Sequence, residues 1–188
     1  MKRIFLVTAA GLLSAGQVVA QTPVALPPPA PTIAAAPTND EVRAPRPARA
    51  RGIPTALAIE GAQTAIATCL GNTYKVTALI VDSGGVPIEM ISGDGAAAIT
   101  QRIAMGKAQS VLKYKMSSGE VAAKAAADAA FMAQVAADPL IGTPRQGSIP
   151  IMVGDALVGA FAVSGAPGGD KDEVCAKAGL AKIQDRLK

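Results

Sequence analysis

Histidine and tryptophan are absent from this 188-residue chain, and aromatic side chains of any kind are scarce. Without histidine the chain cannot form a Ser-His-Asp triad, a Cys-His pair, or an imidazole-ligated zinc or haem site. Its two cysteines are too few for a structural zinc site with four cysteine ligands. We therefore predict no catalytic residues and no metal site.

Most of the chain has no excess of basic residues, although the formal net charge is +4. From Gly52 onward there are 12 Lys and Arg residues against 12 Asp and Glu residues. Domains that bind nucleic acid normally present a basic face and aromatic platforms on which bases stack. Nucleic acid is therefore excluded as a partner.

The N-terminus has the organisation of a signal peptide. Lys2 and Arg3 precede an uncharged apolar run over residues 4–13, and the small residues Val18 and Ala20 precede Gln21. The alternative is a retained membrane anchor, which is disfavoured because a span needs about 20 apolar residues. We predict a signal peptide over residues 1–20, a periplasmic or secreted protein, and no membrane span in the mature chain.

Residues 21–51 are rich in proline and alanine, with eight prolines in this stretch. Proline forbids regular helix and favours extended conformations, and alanine can bury little apolar area. We predict a disordered tether whose role is that of a spacer. Partner binding by Pro28-Pro29-Ala30-Pro31 is the alternative.

The rest of the chain, residues 52–188, is predicted to be one domain. Apolar spacing predicts helices over residues 55–70, 96–116, 117–137 and 171–187. Short β-branched runs with glycine turns predict two hairpins, with strands over residues 76–81, 86–91, 149–153 and 157–163. The order α-ββ-αα-ββ-α indicates an α+β fold in which both hairpins join one antiparallel sheet that helices cover.

Three motifs have both a structural and a binding interpretation. The turn Asp82-Ser83-Gly84-Gly85 fits a hairpin, or a bare backbone that a ligand approaches. Gly93-Asp94-Gly95 stands where a helix is predicted to begin, so it either binds an anion or is capped by Asp94 itself. On the central helices, the candidates for contact with a ligand, or alternatively for core packing, are Met105, Lys107, Tyr114 and Met116.

Cys69 and Cys175 are the two cysteines. In an oxidising compartment an even number favours a disulfide, and two buried free cysteines are the alternative.

Taken together, these segments resemble the GlcG/HbpS-like family of haem-binding and haem-degrading-type domains. The resemblance covers nearly all of residues 55–188. The matching segments, in order, are Cys69-Leu70-Gly71, Val81-Asp82-Ser83-Gly84-Gly85, Asp94-Gly95-Ala96, Lys107-Ala108, Gly147 to Ile151, residues 158–165 and residues 172–179.

The resemblance implies a profilin-like antiparallel sheet with the first and last helices packed on the same side, which would bring Cys69 and Cys175 together as a disulfide. It also implies homo-oligomers, as dimers or octamer-like rings, and a haem or corrinoid ligand. The sequence departs from the family pattern in having no histidine and no arginine before Asp94, so any haem would have a ligand other than histidine. The implied ligand-binding residues are Asp82, Gly84, Gly85, Asp94, Gly95, Met105, Lys107 and Tyr114.

The function that this predicts is an exported, oligomeric small-molecule-binding protein for haem or a related tetrapyrrole. Lys107 would pair with a propionate. The first alternative is a non-catalytic assembly module without a tetrapyrrole ligand. A haem-degrading enzyme is the least favoured class, because no base–nucleophile pair is visible in the sequence.

Overall fold

A computed structural model describes residues 49–188 of the chain. The predicted signal peptide and residues 21–48 of the predicted tether lie outside the described residues. The helices and strands are α1 (Thr55–Gly71), β1 (Thr77–Asp82), β2 (Pro87–Ser92), α2 (Ile99–Tyr114), α3 (Ser118–Ala127), α4 (Ala129–Ala136), β3 (Ser148–Val153), β4 (Ala156–Ser164), α5 (Gly169–Ile183) and a 3₁₀ turn (Gln184–Arg186).

The four strands form one antiparallel sheet in the order β2-β1-β4-β3. Each hairpin contributes its more buried strand to the centre, where Thr77 pairs with Ser164 and Asp82 with Gly159. Every residue of β1 is buried, because helices cover both faces of the sheet. The predicted α+β architecture, with two hairpins joined into one sheet, is confirmed.

Alternation along the central strands divides the core into two layers. Ile80 and Phe161 point to the face that α1 and α5 cover. Leu79 and Val81, the neighbours of Ile80, point to the opposite face, as does Ala160 of β4. Helix α2 covers this face. The domain therefore has three layers, with the sheet between the α1–α5 pair and α2.

Helices α1 and α5 pack on the same side of the sheet, as the family resemblance implied. A methyl group added at Gly179 would lie 2.5 Å from the carbonyl oxygen of Gly61, so the absence of both side chains allows this close crossing. The Cys69–Cys175 disulfide joins the same two helices, with 5.6 Å between the Cα atoms. The predicted pairing is confirmed.

The predicted helix over residues 117–137 is wrong in one respect, because it is two helices. Ser117 and Glu120 form the expected capping box at the start of α3. Asp128 then adopts an extended conformation, with φ −133° and ψ 106°, and its carboxylate accepts hydrogen bonds from the N–H groups of Ala130 and Phe131. This carboxylate caps α4 and so ends the alanine-rich helix that precedes it.

The predicted start of α2 is also wrong. The helix begins at Ile99, and Asp94 makes no capping hydrogen bond to it. Gly93 instead accepts a hydrogen bond from the Ala96 N–H at 3.0 Å, and Gly95 has a φ of +76°, so these residues form a turn. Similarly, α5 is capped at Gly168, and Asp170 lies inside its first turn. Within residues 49–188, no helix is long and apolar enough to cross a bilayer.

Candidate functional site

The ligand-binding residues that the sequence predicts lie in three separate places. Gly84 and Gly85 form the turn between β1 and β2, whereas Asp94 and Gly95 follow the far end of β2. The remaining candidates lie along α2. Since six residues of β2 span about 20 Å, the two turns do not line one small pocket.

The carboxylate of Asp82 is fully buried and already bonded. Its Oδ1 accepts hydrogen bonds from the N–H groups of Gly84 and Val86, both at 3.0 Å. Its Oδ2 accepts one from Arg49 Nε at 3.2 Å. Gly85 supplies the positive φ, +81°, that the turn requires. These contacts account for the motif as a hairpin turn covered by the residues that precede Gly52.

Lys107 is buried rather than exposed to a ligand. Its Nζ lies 2.6 Å from Asp172 Oδ2 and 2.8 Å from the carbonyl oxygen of Val163. Burial lowers the pKa of Lys107, and the nearby Asp172 opposes this shift. Burial likewise raises the pKa of Asp172, against the influence of Lys107. The propionate that the resemblance assigns to Lys107 would have to compete with this internal pair.

The other two candidates on α2 contribute to packing. Met105 is half-buried and packs against the cluster between α2 and the sheet. The Tyr114 ring meets Phe131 edge-on, with 5.1 Å between centroids. Its hydroxyl is buried and has no hydrogen-bond partner among the described residues. Lys107 is on the lining of a cleft of about 440 Å³ that neither Met105 nor Tyr114 lines.

An apolar cleft of about 320 Å³ lies between the C-terminal half of α1 and the end of β2, and we call it the α1–β2 cleft. Its walls and rim include Ile66, Leu70, Tyr74, Lys75, Ile91 and Asp94. Of the predicted ligand-binding residues, Asp94 lines it. The sequence analysis did not identify Tyr74 or Lys75 as site residues.

Local features of the chain create this cleft. Gly93 donates a hydrogen bond to the Val76 carbonyl at 2.9 Å, which holds the end of β2 against the start of β1. A methyl group at Gly93 would lie 3.1 Å from Ile66, so a bare backbone lets β2 approach α1. The Tyr74 N–H donates to the Cys69 carbonyl at 3.0 Å, which turns the chain back after α1.

The lining of the α1–β2 cleft is mainly apolar and includes one residue of each charge, Lys75 and Asp94. Aliphatic side chains form much of its walls, and Tyr74, with its phenol group, is also on the lining. The Lys171 ammonium lies 5.7 Å from the centre of the Tyr74 ring. Within residues 49–188, no group of three or more His, Cys, Asp or Glu side chains is placed to hold a metal ion.

Comparison with known proteins identifies the family. The family model described as "Haem degrading protein HbpS-like" matches residues 53–181. The chain belongs to the HbpS-like family. The fold and the family that the sequence predicted are therefore both confirmed. No curated protein matches the chain.

Solved structures agree with this membership. A double mutant of Streptomyces reticuli HbpS is 26% identical, with a TM-score of 0.64 over 80% of this chain and 99% of that chain. Klebsiella pneumoniae protein ORFY is 19% identical, with a TM-score of 0.66 over 74% of this chain and 96% of that one. A PduOC:heme complex is 17% identical, with a TM-score of 0.65 over 70% of this chain and 95% of that one. At these low identities, the similarity to ORFY and to PduOC shows a shared fold.

Proposed function

We propose that this HbpS-like chain is an exported, oligomeric protein that binds haem or a related tetrapyrrole in the α1–β2 cleft. The observation that carries the proposal is a mainly apolar cleft of about 320 Å³ with Tyr74, Lys75 and Asp94 on its lining. Its volume lies at the lower end of the range of about 300–1,000 Å³ for small-molecule sites. The family description and the fold shared with PduOC, which was solved with haem, support the choice of ligand.

The residues present fit the group in the following way. An apolar macrocycle would bury Ile66, Leu70 and Ile91, and Lys75 would pair with a propionate. Tyr74 would supply the oxygen ligand to iron in a chain that has no histidine. A bound haem would supply a redox-active iron, and the chain would hold and orient it.

Export is supported by two features that are independent of each other. The first 20 residues have the charge and apolar pattern of a signal peptide. Cys69 and Cys175 are joined, and disulfides persist in oxidising compartments such as the periplasm or the extracellular space. In this proposal residues 21–51 are a spacer between the processed N-terminus and the domain.

Self-assembly is supported by the surface of α3 and α4. Alanine side chains are exposed along both helices, and Met132 is partly exposed beside them. Small side chains let helices of neighbouring subunits approach closely. The same surface favours the second candidate function, an assembly module without a tetrapyrrole. Light scattering would measure the assembly, and a stable oligomer that binds no hemin in the titration described below would favour the second candidate.

The experiment that tests the proposal is a titration of residues 21–188 with hemin, followed by Soret absorbance and then by competition with apomyoglobin. We expect saturable binding that survives the competitor. Tyr74→Phe should weaken binding at least tenfold and change the visible spectrum, because it removes the oxygen ligand. Tyr114→Phe is the matched control, since Tyr114 lies outside the cleft.

Two outcomes would contradict the proposal. Non-saturating binding that apomyoglobin removes completely would exclude a specific tetrapyrrole site. An effect of Tyr114→Phe equal to that of Tyr74→Phe would exclude the α1–β2 cleft as the site. The same sample also tests for haem degradation, because steady loss of the Soret band with release of iron in the presence of a reductant would favour an enzyme.

A further inference from the structure

A second cleft, of about 290 Å³, lies on the other side of the sheet, between α2 and the loop of residues 139–145. We call it the arginine cleft, because Arg102 and Arg145 both line it. It shares no lining residue with the α1–β2 cleft. Any ligand that it binds would therefore be separate from the proposed tetrapyrrole.

The backbone of this loop is fixed against α2. The N–H groups of Ile141 and Gly142 donate to the Asp138 carbonyl at 3.1 and 2.8 Å, and the Leu140 N–H donates to the Asp138 carboxylate at 2.9 Å. A methyl group added at Gly106 would lie 2.7 Å from the Ile141 carbonyl oxygen, so the loop rests directly on α2 at this glycine. This contact places Arg145 at the same cleft as Arg102 of α2.

Both guanidinium groups lack a carboxylate partner within the described part of the chain. The ion pairs there join Asp82, Asp172, Asp138, Glu173 and Glu60 to other cations. Lys107 pairs with Asp172. Arg145 also acts on Lys107 electrostatically. Within the described residues, the cleft therefore has two arginines on its lining whose charges no carboxylate balances.

Arg145 and Ile103 also line an adjoining cleft of about 440 Å³. The adjoining cleft presents the hydroxyl-bearing residues Thr100 and Ser164, and the backbone of residues 165–169. An arginine fork matches a carboxylate or a phosphate through two parallel hydrogen bonds. Two forks at one cleft match a ligand with two negative charges.

We propose that the arginine cleft binds a small organic dianion, through carboxylate or phosphate groups, independently of the tetrapyrrole. With about 290 Å³ available, the ligand has only a few carbon atoms. Arg102 and Arg145 each pair with an oxyanion, and Thr143 at the rim adds a hydroxyl group.

The test is isothermal titration calorimetry on residues 21–188 at constant ionic strength. The probes are succinate as a dicarboxylate, glycerol 3-phosphate as a phosphate ester and acetate as a monoanion. We expect one site per chain for at least one dianion and at least tenfold weaker binding of acetate. Saturation by succinate alone identifies a carboxylate site, and saturation by glycerol 3-phosphate alone identifies a phosphate site.

Variants locate the site. Arg102→Gln and Arg145→Gln should each weaken dianion binding at least tenfold, because each removes one fork from an exposed position. Arg186→Gln is the control, since Arg186 pairs with Glu60 at a distant surface. No saturation by either dianion below about 10 mM, or equal losses in all three variants, would overturn the proposal.

Saturation with hemin before the titration separates this site from the tetrapyrrole site. Unchanged dianion binding supports two independent sites. Loss of dianion binding would show that the arginines take part in tetrapyrrole binding, and would overturn the proposal while leaving haem binding intact. Dianion binding to a chain that fails to bind hemin would support the arginine cleft and contradict only the proposed function.

Discussion

Replacing Lys107 should lower the free energy of unfolding more than replacing any exposed charged residue, because Asp172 would remain buried without its partner. The two side chains are 3% and 4% exposed, and 2.6 Å separates Nζ from Oδ2. In Lys107→Met, the described contacts leave Asp172 one hydrogen bond, from the Ala166 N–H. Breaking a buried ion pair in this way costs about 3–5 kcal/mol of the free energy of unfolding. That loss corresponds to a melting temperature about 10–17 °C lower for a domain of this size.

The pH dependence of Lys107→Met identifies the cause. Burial already raises the pKa of Asp172 above its ordinary value of 3.8, and Lys107 opposes this shift. Without Lys107 the folded-state pKa rises further, so the folded chain holds a proton that the unfolded chain releases. The stabilising effect of that proton is fully present below about pH 4 and is lost as pH rises, by about 1.4 kcal/mol per pH unit until the folded-state pKa is passed.

A double variant separates burial of charge from loss of packing. Burial is the largest influence on the pKa of both Lys107 and Asp172, and it disfavours the charged form of each. The free energy of unfolding of the double variant, Lys107→Met with Asp172→Leu, should therefore lie within about 1 kcal/mol of that of the unchanged chain or exceed it. Urea unfolding followed by circular dichroism between pH 5 and pH 8 measures both variants.

The control is Lys182→Met, because Lys182 is 57% exposed and lies 3.9 Å from Glu60. It should change the free energy of unfolding by less than about 0.5 kcal/mol at every pH. Two results would refute the reasoning. One is a free energy of unfolding of Lys107→Met equal to that of the control, and the other is a double variant that loses as much stability as the single one.

Three further predictions concern the fold and are measured by thermal and urea unfolding. Replacing both disulfide cysteines by alanine should lower the free energy of unfolding by about 2–5 kcal/mol, because the Cys69 bridge closes a long loop, and a reductant should affect only the unchanged chain. Gly159→Ala should cost about 3 kcal/mol or more, since its methyl group would lie against the Val81 carbonyl, whereas Gly71→Ala, with nothing within 4 Å, should be neutral or stabilising. Asp128→Ala should cost about 1 kcal/mol by removing the cap of α4, and an unchanged melting temperature would contradict that role.

The hairpins were predictable because their signals are local. A β-branched run followed by Ser83-Gly84-Gly85 predicts a strand and a turn without knowledge of the rest of the chain, and β1 begins and ends within one residue of the prediction. The same applies to the capping box of Ser117 and Glu120. In each case neighbouring residues supply the interactions that fix the structure.

Where two local preferences compete, the sequence alone does not determine the secondary structure. Asp128 stands in an alanine-rich run, and an exposed aspartate can lie within a helix or cap a new one. The alanines favour one continuous helix, whereas the hydrogen bonds from Ala130 and Phe131 favour a break. Packing of Phe131 into the cluster with Val121 and Tyr114 accompanies the break.

The candidate clefts depend on contacts between distant residues, which local sequence motifs do not reveal. The partner of Lys107, Asp172, follows 65 residues later. Their pairing leaves no mark on the local pattern, so the sequence offered only ligand contact or core packing for Lys107. The α1–β2 cleft likewise forms only when α1 and the end of β2 pack together. Tyr74 and Lys75, between two elements, had no periodicity that could single them out.

The pairing of β1 with β4 has a consequence for the order in which the chain can fold. β1 belongs to the first hairpin and β4 to the last, and Thr77 meets Ser164 only after almost the whole domain has been made. Until then β1 presents an apolar, unpaired edge, which is prone to associate with other chains. If the chain crosses a membrane from its N-terminus, as the proposed export requires, the edge of β1 would need protection from association with other chains until α5 has also crossed. Oxidation of Cys69 with Cys175 would mark the completion of that step.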